Sequence, residues 1–337
     1  MPRKSSVPAR MADVAARAGV SAITVSRALR TPDKVSPAVR ARIDTAIRSL
    51  GYVPNLAAGT LKSQRSRIVA AIVPTLANSI FAETVEGMTE ILRQHGYQLL
   101  LGNAGYSPET EEALVAAFLG RQPDGLILAG VQHTKRLRTQ LRAARVPVVE
   151  TWELTDAPID MIVGFSNFEA ARRMTLALIE RGYRRIAFAG VAPDAEPRSG
   201  RRQAGYCDAV AKHGRDPVIF TVAEESGLTI RSGANTMARV LGERADVDAV
   251  FFANDFLALG ALMECARRGI AVPDKVAVAG FGDFEVAQEV IPALTTVRIP
   301  GRDIGRRAAS LLVDRLLGRN GENAVDMGFE IVLRDSA

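Results

Sequence analysis

Residues Met11–Arg27 read MADVAARAGVSAITVSR. Met11, Val14, Ala15 and Ala18 share one face at helical spacing, with Asp13 in the first turn, where a carboxylate suits the helix N-terminus. Gly19 can take a left-handed conformation and end this helix. Val20 is an apolar plug. Ser21 is a natural N-cap for a second helix, Ala22 to about Arg30, whose Val25 and Leu29 point to a core at i, i+4. A third helix opens on Ser36 as N-cap with Pro37 at its first position, and its buried stripe is Val39, Ile43, Ile47 and Leu50. Two helices around a glycine turn are a helix-turn-helix pattern, and in such a unit the second helix enters the major groove of DNA N-terminus first. Ala22, Ile23, Thr24, Ser26 and Arg27 lie off the Val25/Leu29 stripe and are the groove-facing candidates. Arg27 can fork onto a guanine, Ala22 and Ile23 can touch a thymine methyl, and Thr24 and Ser26 suit phosphates. Taken alone, Arg27 reads as a solvated surface arginine, the commoner fate of any arginine; its place in a basic three-helix unit favours DNA contact.

Charge agrees with the pattern. The 337-residue chain carries +6, but residues 1–65 carry +9 and the remaining 272 residues −3. A small, strongly basic segment on a mildly acidic protein is the footprint of a nucleic-acid-binding module. On charge alone a basic disordered tail would also do; the helical periodicity disfavours it. The length suggests roughly two domains, and 47% hydrophobic with 24% charged residues can build a sizeable core. No apolar run approaches the roughly 18 residues of a membrane span. The leading MPRKSSVPAR is basic with no apolar stretch after it, which does not read as a secretory signal. Cys207 and Cys265 make no disulfide framework and fit a reducing cytoplasm.

Residues 55–66, NLAAGTLKSQRS, are small, polar and basic, with Pro54 before them. On composition they are a linker, and a helix this short is not stable in water by itself. From Arg67 onward strands alternate with amphipathic helices. Strands are expected at Ile68–Val73, Tyr97–Gly102, Gly125–Leu128, Pro147–Glu150, Ile162–Val163, Arg185–Ala189, Val218–Val222, Val250–Ala253 and Val276–Gly280. Apolar runs between amphipathic helices mean parallel, doubly wound α/β sheets, and so many units exceed one sheet. Two lobes follow, with a ligand cleft at the strands' carboxyl ends. Asn254, Asp255 and Asp283 stand just after strands and Arg202 opens a helix, where they would meet a sugar's hydroxyls or a carboxylate. Each aspartate alone is also an ordinary helix N-cap.

The Met11–Arg27 string, together with LGYVPN at Leu50–Asn55, resembles the headpiece of the lactose/galactose-repressor (LacI/GalR) family. The resemblance implies that Ala22, Ile23 and Arg27 read bases. It implies that the 55–66 segment folds on DNA, pairs with its dimer mate and inserts Leu61 into the minor groove, with Ala58 one turn earlier, so that Asn55, Ala58 and Leu61 become DNA contacts. It gives the rest of the chain a two-lobed, periplasmic-binding-protein-like fold. The expected division is a headpiece over 1–54, a hinge over 55–66 and a sensor over 67–335. The first lobe is then about 67–163 and 297–320, the second about 164–294 and 324–335.

Further strings carry the resemblance into the cleft. ANDFLALGA at Ala253–Ala261 is similar to the family string whose Asn reaches the effector, here Asn254 beside Asp255. Arg202, three residues before Gly205, matches the effector-binding arginine, and Phe81 in SIFAE a cleft-lining aromatic. The family often has Asp directly after the aromatic that is Phe281 here; this chain has Gly282, with its acid one residue on at Asp283. GFSNFEAAR at Gly164–Arg172, HGYQ at His95–Gln98 and VVE at Val148–Glu150 resemble the gluconate-repressor subgroup, although Ser166 stands where that subgroup usually has Asp. The resemblance therefore implies a sugar-acid effector such as gluconate, with Glu150 and Trp152 near the cleft. It also implies a homodimer on a near-palindromic operator, most simply a repressor of sugar or sugar-acid catabolism genes, with an activator or co-repressor-dependent regulator as the variant.

Two other classes are weaker. For an enzyme there is no Walker motif, no GxGxxG after a strand and no Cys/His cluster at metal spacing, and His95, His133 and His213 are scattered, so no catalytic residue, metal or cofactor is expected. A solute-binding transport protein would share the two-lobed core but not the basic helix-turn-helix.

Overall fold

A computed structural model describes residues 9–53, 65–76, 79–222, 228–319 and 321–337. The chain divides into two units, Met1–Ser66 and Arg67–Ala337. Asn55, Ala58 and Leu61 lie outside the described residues.

The first unit holds α1 (Met11–Ala18), α2 (Ala22–Arg30), a 3-10 turn (Pro32–Lys34) and α3 (Pro37–Leu50). Asp13 accepts the Arg10 backbone N–H at 2.7 Å and so caps α1. Gly19, at φ 63°, ends it in the left-handed conformation, and the Val20 N–H returns to the Ala15 carbonyl. The core joins Val14, Ala15, Ala18, Val25, Ala28, Ile43, Ala46 and Tyr52. Leu29 is a correction: it is 37% exposed and Ala28 takes its place. The α2 stripe runs i, i+3 from Val25 to Ala28, both spacings being compatible with 3.6 residues per turn.

The second unit contains two six-stranded sheets flanked by helices. In chain order the first holds β1 (Ile68–Val73), α4 (Ser79–Gln94), β2 (Gln98–Asn103), α5 (Pro108–Leu119), β3 (Gly125–Ala129), α6 (Lys135–Ala144), β4 (Val148–Thr151) and β5 (Met161–Gly164). The chain then crosses to α7 (Asn167–Glu180), β6 (Ile186–Val191), α8 (Pro197–Lys212), β7 (Val218–Val222), α9 (Ile230–Glu243), β8 (Ala249–Phe252), α10 (Asp255–Arg267), β9 (Ala277–Gly282), α11 (Glu285–Glu289) and β10 (Thr295–Arg298). It returns through α12 (Gly301–Leu316) and β11 (Ala324–Asp326), and ends with β12 (Glu330–Val332). The strand orders are β11-β5-β4-β3-β1-β2 and β12-β10-β9-β8-β6-β7, parallel throughout except for β12 against β10. Central strands such as β3, β6, β8 and β9 are buried along almost their whole length, as a sheet covered on both faces requires.

The expected lobe boundaries need two corrections. β10 pairs with β9 as far as Arg298↔Gly282, so 297–298 belongs to the second lobe. β11 pairs with β5 from Ala324↔Ile162 to Asp326↔Gly164, so 324–326 belongs to the first lobe and the last crossing falls between Asp326 and Glu330. A three-residue edge strand has too little apolar pattern to announce which sheet it joins. The α12 helix returns to the first lobe by packing on α4. A Cβ on Gly87 would sit 2.1 Å from the Arg302 carbonyl oxygen, and one on Gly305 2.0 Å from that of Thr84, so the helices touch backbone to backbone. Among the described residues no helix is long and apolar enough to cross a membrane.

Candidate functional site

The α2 helix begins with a strong cap: Ser21 Oγ accepts the Thr24 N–H at 3.2 Å. The cap holds Ala22, Ile23 and Arg27 at the surface, while Val25 anchors the opposite face at 0% exposure. Ile23 is 72% exposed, an apolar side chain presented to solvent beside an arginine. Thr24 and Ser26 are half-buried, and the Thr24 hydroxyl pairs with Ser21 Oγ at 2.9 Å. The face suited to reading base edges is thus Ala22, Ile23 and Arg27.

The second unit has a cleft where the carboxyl ends of both sheets meet, in two compartments. The outer one, about 120 Å³, lies between the loops after β1, β2, β3 and β4 and the segment Asp194–Arg201. The inner one, about 20 Å³, is walled by Phe81, Tyr106 and Trp152 of the first lobe and by Glu196, Arg198, Arg202, Leu228, Asn254 and Phe284 of the second. Four sequence candidates therefore meet here: Phe81, Trp152, Arg202 and Asn254. Phe81 packs edge-on against Trp152 at 5.2 Å, and Trp152 against Phe165 at 5.9 Å.

Each polar side chain is positioned by the element that carries it. Asn254 is the N-cap of α10, its Oδ1 accepting the Leu257 N–H at 2.9 Å. Arg202, on α8, donates from Nε to Asn167 Oδ1 at 2.9 Å and from Nη1 to the Ala253 carbonyl at 2.6 Å, and its guanidinium lies 4.0 Å from the centre of the Phe281 ring. Burial pulls its pKa below the usual arginine value. Asn167 is a site residue that single-residue reasoning missed. It is fully buried, and its Nδ2 donates to the Trp152 carbonyl at 2.9 Å and to Glu153 Oε2 at 3.1 Å.

Arg198 was also missed. Its Nε donates to Glu196 Oε1 at 2.7 Å, and its guanidinium lies 4.9 Å from the Phe81 ring centre and 6.0 Å from that of Tyr106. Burial opposes the charge on Glu196, but Arg198 and Arg202 hold its carboxyl below the ordinary range. Arg198 Nη1 and Trp152 Nε1 are buried with no hydrogen-bond partner among the described residues. An unmet buried donor costs about 1–3 kcal/mol, so a ligand that accepts from it is repaid by that amount. Trp152 at φ 73° and Tyr106 at φ 62° both adopt the left-handed region disfavoured for non-glycine residues, which places backbone strain on the cleft wall.

Three candidates do not reach the cleft lining. Glu150 is fully buried behind it, accepting the Ile159 N–H and facing His133 Nε2 at 3.4 Å. Asp255 accepts from Thr296 Oγ1 at 2.6 Å and from the Phe284 N–H at 2.9 Å, tying α10 to the loop after β9. Burial, against those two bonds, pushes its pKa up to about 6. Asp283 is held by Arg298 at 2.6 Å and Arg334 at 2.7 Å. The one-residue displacement from the position of Gly282 turns it out of the pocket and into an ion-pair network. Glu153, three residues after Glu150, is one of the three acids that line the outer compartment.

Comparison with known proteins bears on both sites. The model for bacterial regulatory proteins of the lacI family matches residues 10–55, the whole of α1–α3, and a periplasmic binding protein-like domain matches 175–337. The HTH-type transcriptional regulator GntR of Escherichia coli (strain K12) is 39% identical over 320 residues, 95% of this chain and 96% of that protein. The chain belongs to the lacI family of bacterial regulatory proteins. GntR of Pseudomonas aeruginosa is likewise 39% identical, over 96% of this chain and 94% of its own. A crystal structure of a LacI-family regulator from Silicibacter pomeroyi superposes with a TM-score of 0.90 at 34% identity, covering 98% of this chain and 99% of that one. As a lacI-family member the protein is a DNA-binding transcription regulator and not an enzyme. In this lacI-family chain the exposed Ile23/Arg27 face falls inside the matched DNA-binding segment, and the second lobe of the cleft inside the binding-protein-like one.

Proposed function

We propose that this regulator is a repressor that holds a near-palindromic operator as a homodimer and leaves it when a sugar acid such as gluconate fills the cleft. The observation that carries the reading is the meeting of Phe81 and Trp152 from one lobe with Arg202 and Asn254 from the other in one compartment. A ligand there must touch both lobes, so its affinity depends on how they are placed. That dependence is what a switch needs, because a ligand with equal affinity for two states shifts nothing. Gluconate is favoured by the likeness of Gly164–Arg172 to the gluconate-repressor subgroup. On DNA, Ala22, Ile23 and Arg27 read bases and Thr24 and Ser26 meet phosphates. Asn55, Ala58 and Leu61 act in the minor groove, Leu61 as an apolar wedge that kinks the duplex. Such a regulator works in the cytoplasm, with the chromosome.

The test is operator affinity of the full-length protein, on a site selected from random DNA, with and without D-gluconate, alongside thermal shifts with a panel of sugars and sugar acids. Binding to the folded state raises the melting midpoint by mass action. A protected site of two half-sites about one helical turn apart, released by a sugar acid, is expected. Protection of one asymmetric half-site by a monomer, or operator affinity indifferent to every panel compound, would overturn the reading.

A further inference from the structure

The inner and outer compartments differ in their polar groups as well as in size. The ionisable side chains of the inner one that carry charge are two arginines, Arg198 and Arg202, against one carboxylate, Glu196. Neither nearby aspartate corrects the balance: Asp255 is bonded to Thr296 and the Phe284 N–H, and Asp283 to Arg298 and Arg334. Glu153 does: bonded to Asn167 beside Arg202, it faces both guanidiniums, so two carboxylates stand against the two arginines. The compartment also holds the two unmet donors. Arg198 is 7% exposed and Trp152 1% exposed, and both touch the ring of Phe81. The outer compartment, several times larger, is lined by Glu111, Glu153 and Asp194 with Gln132 and Ser107, and by Arg198 and Arg201. Carboxylates and amides accept from hydroxyls, and hydroxyl oxygens accept from guanidinium groups.

We propose that the effector enters head first, its carboxylate in the inner compartment on Arg198 Nη1 and Trp152 Nε1 and its hydroxylated carbon chain in the outer one. Arg198 is then the residue that distinguishes a sugar acid from a neutral sugar. Arg202, with Nε and Nη1 already bonded to Asn167 and Ala253, contributes charge and position. The size difference sets the direction: a cavity of about 20 Å³ suits a carboxylate, and one of about 120 Å³ a polyol chain. This assignment rests on the effector reading above and adds the orientation and the selecting residue.

The experiment is calorimetric titration of the full-length, DNA-free protein with D-gluconate and D-glucitol (the same chain with an alcohol for the carboxylate). Gluconate should bind about 10–100-fold more tightly than glucitol, the range for loss of charge-assisted hydrogen bonds. Arg198→Gln should bring the gluconate-to-glucitol ratio close to one, and Trp152→Phe should lower it in part. Equal binding of gluconate and glucitol by the unaltered protein overturns the proposal without reliance on any variant. So does an unchanged ratio in a folded Arg198→Gln protein. If a neutral hexose releases the operator while gluconate does not bind, the head-first assignment falls and the ligand-released repressor stands. If no compound alters operator affinity, the effector reading falls with it.

Discussion

Arg202 Nε and Asn167 Oδ1 are 2.9 Å apart, and through that bond the cleft arginine of the second lobe is fixed to the backbone of the first. Asn167 is the first residue of α7, just past the crossing from β5, and its Nδ2 reaches back to the Trp152 carbonyl at 2.9 Å. One buried amide thus serves as donor to the first lobe and acceptor for the second. Its Oδ1 and Nδ2 have opposite hydrogen-bonding characters, so no isosteric carboxylate or hydrocarbon can replace it.

Asn167→Ala should therefore cost about 1–3 kcal/mol of stability, the penalty for leaving buried partners unmet, and weaken effector binding through a loosened Arg202. Asn167→Asp should be worse, since it sets a carboxylate 3.1 Å from that of Glu153, whose pKa burial already raises. Thermal midpoints and gluconate titrations of both variants check this. A midpoint unchanged in Asn167→Ala would count against a bridging role.

Arg27→Ala should reduce operator affinity by about 1–3 kcal/mol and relax preference at one base position. Arg65→Ala, by contrast, should weaken binding to all sequences alike and shallow the salt slope by about one unit. Binding to a full set of single-base operator variants at several salt concentrations separates the two. Intact base preference in Arg27→Ala would remove α2 from its assigned role.

The headpiece was largely legible because Gly19, Ser21 and Pro37 punctuate the chain and apolar spacing does the rest. Its errors, Leu29 for Ala28 and an α3 stripe that put the partly buried Ile47 in the place of the buried Ala46, reflect the near-equivalence of i+3 and i+4 on a helix. Alternating strands and helices disclosed two parallel sheets, but not that β11 closes the first of them. In the cleft, helix-start and strand-end positions found Arg202 and Asn254, but the likeness that named Glu150 did not point to Glu153. Glu150 lies inside the buried strand β4 and Glu153 in the loop beyond it, a difference that only the folded chain shows. Asn167, Glu196 and Arg198 matter through partners distant in sequence, such as Trp152 and Phe81, which no local pattern encodes.

His133, one of the scattered histidines, lies between Glu111 Oε2 at 3.0 Å from Nδ1 and Glu150 Oε1 at 3.4 Å from Nε2, with Arg138 3.8 Å from the same Glu150 oxygen. Burial opposes its charge, but the two carboxylates overcome it and push its pKa up to about 9 from 6.5. A folded-state pKa above the unfolded one means stability that is complete below pH 6.5 and lost as pH rises through about 9. The unaltered protein should therefore lose melting midpoint from pH 7 to pH 10 more steeply than His133→Gln. Parallel midpoint curves for the two proteins would show that the imidazole is not charged in this pocket.

Asn254 offers the sharpest separation of fold from switch. Its Oδ1 is committed to capping α10 through the Leu257 N–H, while the residue also lines the inner compartment. Asp caps a helix about as well as Asn and gains from the positive end of the helix dipole, so Asn254→Asp should keep or slightly raise the melting midpoint. In the cleft the same change replaces an amide donor by a second acceptor and adds a negative charge beside Arg198 and Arg202. An anionic effector then loses a hydrogen bond and meets repulsion, and its affinity should fall by about 10–100-fold. Operator affinity without effector should stay at the level of the unaltered protein, because Ile23 and Arg27, proposed above to read bases, lie in the other unit. The expected product is a repressor that binds its operator and ignores gluconate. Anisotropy titrations of labelled operator at increasing gluconate give the answer, and release of Asn254→Asp at the gluconate concentration that frees the unaltered protein would take Asn254 out of the effector site.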